Sequence, residues 1–323
     1  MALTGKGGGT ATVMVDFACP IERESHELSG PWRAPLQMLS SQSYDGHDSI
    51  HEDNVAQRLG FRAGTIEGPT HFSQIVPLAC ALWGDRFLAE GCISAHYRNA
   101  VYEGEDVRAQ LRFADDASSF AELRMEKRDG TEVLTGTVSV GGNGPPSALD
   151  ERLQSMRPAG ELVILHDVSI GMKTGRIPVS MSLDQHMGDL YPFTLRQKLA
   201  RITEPSSIYE QIIPFEMISV LLNHVSRLHP FPIRGPAVSL FADQEIRMID
   251  GPLQVGAAYE IEREIVALSD SRRTESCWIL TRVYRPGEQE VIATMLLNSA
   301  VLKDSYEAYG RELAAIRESD AND

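Results

Sequence analysis

The segment Gly68-Pro-Thr-His-Phe-Ser-Gln-Ile-Val-Pro-Leu-Ala-Cys-Ala-Leu-Trp83 decides the architecture. Phe72, Ile75, Val76, Ala79, Leu82 and Trp83 recur at helical spacing, and Leu78, Cys80 and Ala81 leave little of the circumference polar. A helix that is apolar nearly all round has to be buried. Pro69 suits a first helical turn, whose N–H groups have no partner anyway. Pro77 is expected to kink the helix or shorten its first turn. Apolar character continues to Phe87, and after Gly91 the period changes to two. Strands are predicted over 93–100, 107–113, 120–127 and 133–140, with Arg128-Asp-Gly-Thr131 as a hairpin turn.

The same plan recurs downstream. Pro214 to Leu228 forms a second apolar helix, and strands are predicted over 177–183, 238–248, 259–267, 276–284 and 290–302. Leu253-Gln-Val-Gly-Ala-Ala-Tyr259 echoes Val101 to Val107. Phe72 maps onto Phe215 and Gly104 onto Gly256, offsets of 143 and 152 positions, which points to a duplication. One helix followed by an antiparallel meander, twice over, is an α+β layout in which each sheet curls around its own helix and the two sheets join edge to edge. The expected division is 1–145 for the first repeat, a linker over 146–160 after the Gly141–Ser147 stretch, 161–304 for the second repeat, and a C-terminal helix and tail over 305–323.

Composition narrows the function. A chain of 323 residues with 42% hydrophobic and 23% charged residues is an ordinary globular protein of two-domain size. A net charge of −15 disfavours nucleic acid or an anionic membrane as partner, because both need a basic face, although a local basic entrance is compatible with it. Cys19, Cys80, Cys92 and Cys277 lack metal-ligand or redox spacing and read as buried thiols in a reducing compartment. No apolar run reaches a membrane span. The Gly-rich Met1–Thr12 reads as a floppy leader, and the cytoplasm is the default location.

Upstream of the first helix, Met38 to Tyr44 is expected to run as a strand into a loop that carries Asp45, His47, Asp48 and His51. Asn54 to Leu59 reads as a short amphipathic turn closed by Gly60. Acid–base side chains on a loop beside a helix N-terminus can move a proton while backbone amides hold an oxyanion.

Three fragments in this order resemble the MaoC-like (R)-specific enoyl-CoA hydratase/dehydratase family and its double hotdog fold. Ile50-His51-Glu52-Asp53 through Ala56 to Gly60-Phe61 is similar to that family's His-x-Asp, Ala and Gly-Phe sequence. Ile66-Glu67-Gly68 is similar to the segment entering its central helix, and Val101-Tyr-Glu-Gly104-Glu-Asp106 to its Pro-Val-x-x-Gly-Asp turn. The resemblance implies that His51 belongs to an acid/base pair and that the Gly68 amide binds a thioester oxygen. It also implies an Asp five positions before the histidine. Gly46 stands there, with Asp45 one residue off and Asp48 where the family usually has Asn, so Asp45 and Asp48 are both candidates for the acid. Each also suits an Asx turn.

Glu67 reads as a solvated helix-start charge, or as the missing acid if it points into the cleft. His47 is expected to face solvent at the edge of the site. His71 and Tyr97 either line the acyl channel or pack. Glu216 and His224, on the second helix, read as satisfied core or solvent-facing groups. One site per chain, built by the first half, is expected. The implied activity is addition or elimination of water on an acyl thioester or related carbonyl compound, with no metal or redox cofactor required and with a homodimer left open. Thioester hydrolysis on the same fold and a non-catalytic acyl-binding or assembly module are the alternatives.

Overall fold

The computed structural model describes residues 17–42 and 47–320. The expected leader, Asp45, Gly46 and the end of the predicted strand over 38–44 lie outside the described residues; residues 38–42 form no strand. The first elements among the described residues are a small antiparallel pair that the sequence reading did not anticipate, β1 (Glu22–Glu24) and β2 (Glu27–Ser29). Next come α1 (Asp53–Arg58), a 3-10 turn over Gly68–His71, α2 (Phe72–Trp83) and α3 (Arg86–Glu90). β3 (Gly91–Tyr97), β4 (Val107–Phe113), β5 (Phe120–Lys127) and β6 (Glu132–Val140) follow as a meander.

The expected linker carries α4 (Ala148–Gln154), started by a reciprocal capping box between Ser147 and Asp150. The second half contains β7 (Ile177–Ser180), α5 (Leu195–Leu199) and α6 (Phe215–Asn223). β8 (Ser239–Met248), β9 (Ala258–Asp270), β10 (Thr274–Tyr284) and β11 (Val291–Leu302) complete its sheet, and α7 (Tyr309–Asp320) ends the described chain.

Among the described residues eleven strands make one sheet in the order β1-β2-β4-β5-β6-β3-β8-β11-β10-β9-β7. The halves join edge to edge at β3 and β8, which run antiparallel with Ile93 opposite Ile246 and His96 opposite Asp243. Polar groups mark the seam: His96 Nδ1 lies 2.6 Å from Asp243 Oδ1, and Asn298 donates to Asp243 Oδ2 at 2.7 Å.

α2 is enclosed as its pattern requires, with Phe72, Ile75, Leu78 and Ala79 fully buried. Side chains of the size of Phe72, Ile75 and Leu78 contribute about 1.5–3 kcal/mol each on leaving water. α2 runs through Pro77, and the irregularity falls earlier, where residues 68–71 wind more tightly. Phe87 stacks on Phe215 at 5.2 Å between ring centroids, coupling α3 to α6. No helix among the described residues is long and apolar enough to cross a membrane.

Candidate functional site

The loop before α1 is folded against the strand-like segment that leads into the first central helix. The Thr65 amide donates to the Ile50 carbonyl at 3.1 Å, and the Gly64 amide donates to Asp53 Oδ1 at 2.8 Å. A Cβ on Gly64 would lie 2.3 Å from the His51 carbonyl oxygen, so only glycine permits this approach. His51 Nδ1 is 2.7 Å from the Thr65 carbonyl oxygen. A carbonyl can only accept, so Nδ1 carries the proton and Nε2 is the free lone-pair nitrogen. Burial lowers the His51 pKa below its ordinary 6.5, and the nearby Glu67 carboxylate partly opposes that drop. His51 is therefore neutral at pH 7.

Gly68 opens the 3-10 turn, and its amide finds no acceptor among the described residues. Its Cα presses on Tyr97: an added Cβ would sit 2.6 Å from the ring. Tyr97 in turn donates its hydroxyl to Gln244 Oε1 at 3.0 Å, across the seam between the halves.

Both His51 and Gly68 line one cleft of about 640 Å³, together with His47, Asp48, Glu67, His71 and Tyr97. Its walls also include Leu190, Ser219, Asn223 and Phe241, so the second half builds much of the cavity that the sequence assigned to the first. Arg98, Arg227, Arg234 and Arg263 also line it, a local basic lining in an acidic chain.

Several expectations change. Glu67 is buried at 6% exposure instead of solvated. Its Oε1 lies 3.6 Å from Lys198 Nζ, which is also 3.9 Å from Glu216 Oε1 and donates to Thr70 Oγ1 at 2.9 Å. Lys198, which the sequence reading passed over, thus ties the two helix starts together. Glu216 is buried as well, and desolvation pushes its pKa up to about 7. His47 is half-buried rather than solvent-facing; burial and the Arg227 cation lower its pKa. His71 is buried with Nδ1 unpaired, and burial with the Lys198 and Lys127 cations lowers its pKa to about 3, which keeps it neutral. Asp48 is exposed and ion-paired with Arg58 at 2.7 Å, which holds its carboxylate at the surface. The structure therefore brings His51, Glu67 and Gly68 together and leaves Asp48 on the rim. Among the described residues no cluster of His, Cys, Asp or Glu has the arrangement of a metal site.

The architecture is that of two hotdog repeats fused in one chain. A MaoC-domain dehydratase from Chloroflexus aurantiacus is similar in structure, with a TM-score of 0.50 at 13% identity over 87% of this chain and 95% of that one. A Mycobacterium tuberculosis protein described as a double hotdog gives 0.48 at 10% identity, over 84% and 94%. The dehydratase domain of PpsC from Mycobacterium tuberculosis, in complex with C12:1-CoA, gives 0.45 at 10% identity, over 88% and 97%. No protein-family model matches the sequence. No curated protein matches it either. At 13% identity the likeness to the Chloroflexus aurantiacus protein bears on the fold alone, and this chain has the double hotdog fold.

Proposed function

We propose that the chain is a hydratase/dehydratase acting on an acyl thioester, with the first-half helix start as its centre. The observation that carries this reading is the sharing of one cleft by the neutral His51 imidazole, the unpartnered Gly68 amide and the buried Glu67 carboxylate. In the hydration direction the thioester carbonyl accepts a hydrogen bond from Gly68 N–H. That bond strengthens as water oxygen adds to Cβ and the electrons of the double bond move onto the carbonyl oxygen. His51 Nε2 takes the proton from the attacking water, and Glu67 stabilises the imidazolium that forms. The same proton then passes to Cα as the enolate collapses, leaving a 3-hydroxyacyl thioester and neutral His51.

Elimination is the reverse. A histidine with a depressed pKa suits this cycle because it begins unprotonated at neutral pH. The exposed Arg98 and Arg227 at the cleft would neutralise an anionic carrier.

The test is an assay of a 2-enoyl thioester with both enoyl absorbance and free thiol followed. The expected result is loss of absorbance with the thioester intact, and a drop of about 10²–10⁴-fold in His51→Ala. Thiol release would indicate hydrolysis, with Glu67 activating water at the carbonyl carbon. Unchanged rates in His51→Ala would remove the proposed centre. With wild-type protein, kcat/KM is expected to fall only as pH drops below 6.5, because the base must be unprotonated and its pKa lies on the acid side of that value.

A further inference from the structure

The row of residues on the inner face of β9 contains a charge that has no counter-ion among the described residues. Tyr259, Ile261, Arg263 and Ile265 alternate inward, between outward-facing Glu260, Glu262 and Glu264. Arg263 is 4% exposed, less than Tyr259 beside it. Its Nη1 donates to the His229 carbonyl at 3.0 Å, and its guanidinium stands 5.0 Å from the centre of the Phe231 ring. Among the described residues no carboxylate lies within ion-pair distance of it, whereas the buried Glu245 and Glu204 both have arginine partners, Arg247 and Arg33. Burial lowers the Arg263 pKa only to about 10, so the side chain remains a cation at neutral pH. A buried unpaired charge is destabilising relative to an apolar residue, so a fold that carries one calls for an anion to meet it.

The cleft that holds His51 and Gly68 is also lined by Arg263 and by the Phe231 whose ring stands against it, with Ile279 and Leu297 among the other lining residues. A phosphate-bearing carrier is better served by the exposed Arg98 and Arg227 of the same cleft. A buried guanidinium with an aromatic ring beside it fits a small planar anion, for which its forked donors are matched. We propose that Arg263 receives a carboxylate at the far end of the acyl group, so that the ligand of this cleft is the monothioester of a dicarboxylic acid. This rests on the reading of the cleft as an acyl-thioester site and names the acyl class that reading leaves open.

The test measures binding by titration calorimetry with saturated N-acetylcysteamine thioesters, which bear no phosphate and have no double bond to hydrate. The succinic, adipic and suberic monothioesters are compared with the butanoic, hexanoic and octanoic ones. At least one diacid derivative is expected to bind the wild type 10-fold or more tightly than its monoacid partner. Arg263→Met is expected to abolish that preference, leave monoacid binding unchanged and melt no lower than wild type, since it removes an uncompensated buried charge. Arg263→Lys is expected to keep part of the preference, and it carries the comparison if the Met variant fails to fold.

Equal binding of diacids and monoacids by the wild type overturns the proposal, as does equal weakening of both in Arg263→Met. A loss confined to coenzyme A thioesters, with the N-acetylcysteamine series unchanged, assigns Arg263 to the carrier phosphates and overturns it too. Because these ligands have no double bond to hydrate, a diacid preference without any hydratase activity would sink the lyase reading alone. Turnover of neutral enoyl thioesters without a diacid preference would sink only this inference.

Discussion

At the start of the first central helix the Ile66 amide donates to the Val101 carbonyl at 2.8 Å, and Thr65 bridges to Tyr102. At the start of the second, the Ile213 amide donates to the Leu253 carbonyl at 2.8 Å, and Ile212 bridges to Gln254. On this register Glu67-Gly68 corresponds to Pro214-Phe215. The backbone hinge is the same in both halves, and the side chains on it are not. The first start sets a glycine on the wall of the cleft and places a carboxylate near a histidine. The second plugs the equivalent place with a buried phenyl ring stacked on Phe87 and sends its acid, Glu216, into the interior. One helix start lines the cleft while the other is filled by packing, and Lys198 spans the two.

The largest effect that would sharpen this contrast is on stability. Phe215→Ala is expected to cost about 3–5 kcal/mol in denaturant unfolding, because it empties a fully packed site. The folded fraction should keep its kcat.

Gly68→Ala should do the reverse: it keeps the N–H but sets a Cβ 2.6 Å from the Tyr97 ring, so the amide has to move off the thioester oxygen. The expected loss is about 10²–10³ in kcat, or roughly 2.7–4 kcal/mol of transition-state stabilisation, with secondary structure by circular dichroism retained. A Gly68→Ala enzyme with normal turnover would break the comparison at its first term.

Glu216 gives an effect on the order of 3 kcal/mol, by linkage at about 1.4 kcal/mol per pH unit. Its folded pKa of about 7 lies above the ordinary 4.5, so the folded chain holds a proton that the unfolded chain has lost. Stability from this group is present below pH 4.5 and is lost as pH rises to 7. Glu216→Gln should flatten that slope in unfolding experiments at successive pH values; an unchanged slope would place the titration elsewhere.

The smallest effect belongs to Asp48. Its pair with Arg58 is exposed, so Asp48→Asn should change stability by about 0–1 kcal/mol and leave kcat within a few-fold.

The repeat was legible because it is written in local chemistry. Strand alternation put β5 where the sequence predicted it, and Gly104 and Gly256 both have positive φ, 85° and 78°, at matching turns. The helix register was not. Aligning Phe72 with Phe215 places the halves one turn out, because the first half spends residues 68–71 on a tight turn before its α-helix starts. β1 and β2 escaped notice because Glu-Arg-Glu and Glu-Leu-Ser carry no apolar alternation. α4 and α5 did carry signals, the capping boxes Ser147–Asp150 and Thr194–Gln197, hidden beside Gly- and Pro-rich stretches.

For the site, the pairing of loop and helix start was legible from His51 and Gly68. The inward placement of Glu67 was only one of two readings, because the cation beside it, Lys198, lies 131 positions later in the chain. Arg263 had a signal in Ile-Glu-Arg-Glu-Ile, which sets a charge on the apolar side of a strand.

The central claim is that His51 and Gly68 face the two ends of one reacting group. A crystal structure with a saturated acyl thioester bound tests it most directly. The account predicts the thioester oxygen at about 2.7–3.1 Å from the Gly68 amide nitrogen, with His51 Nε2 directed at Cα and Cβ. A thioester lodged elsewhere, with the Gly68 amide still bare, would contradict it.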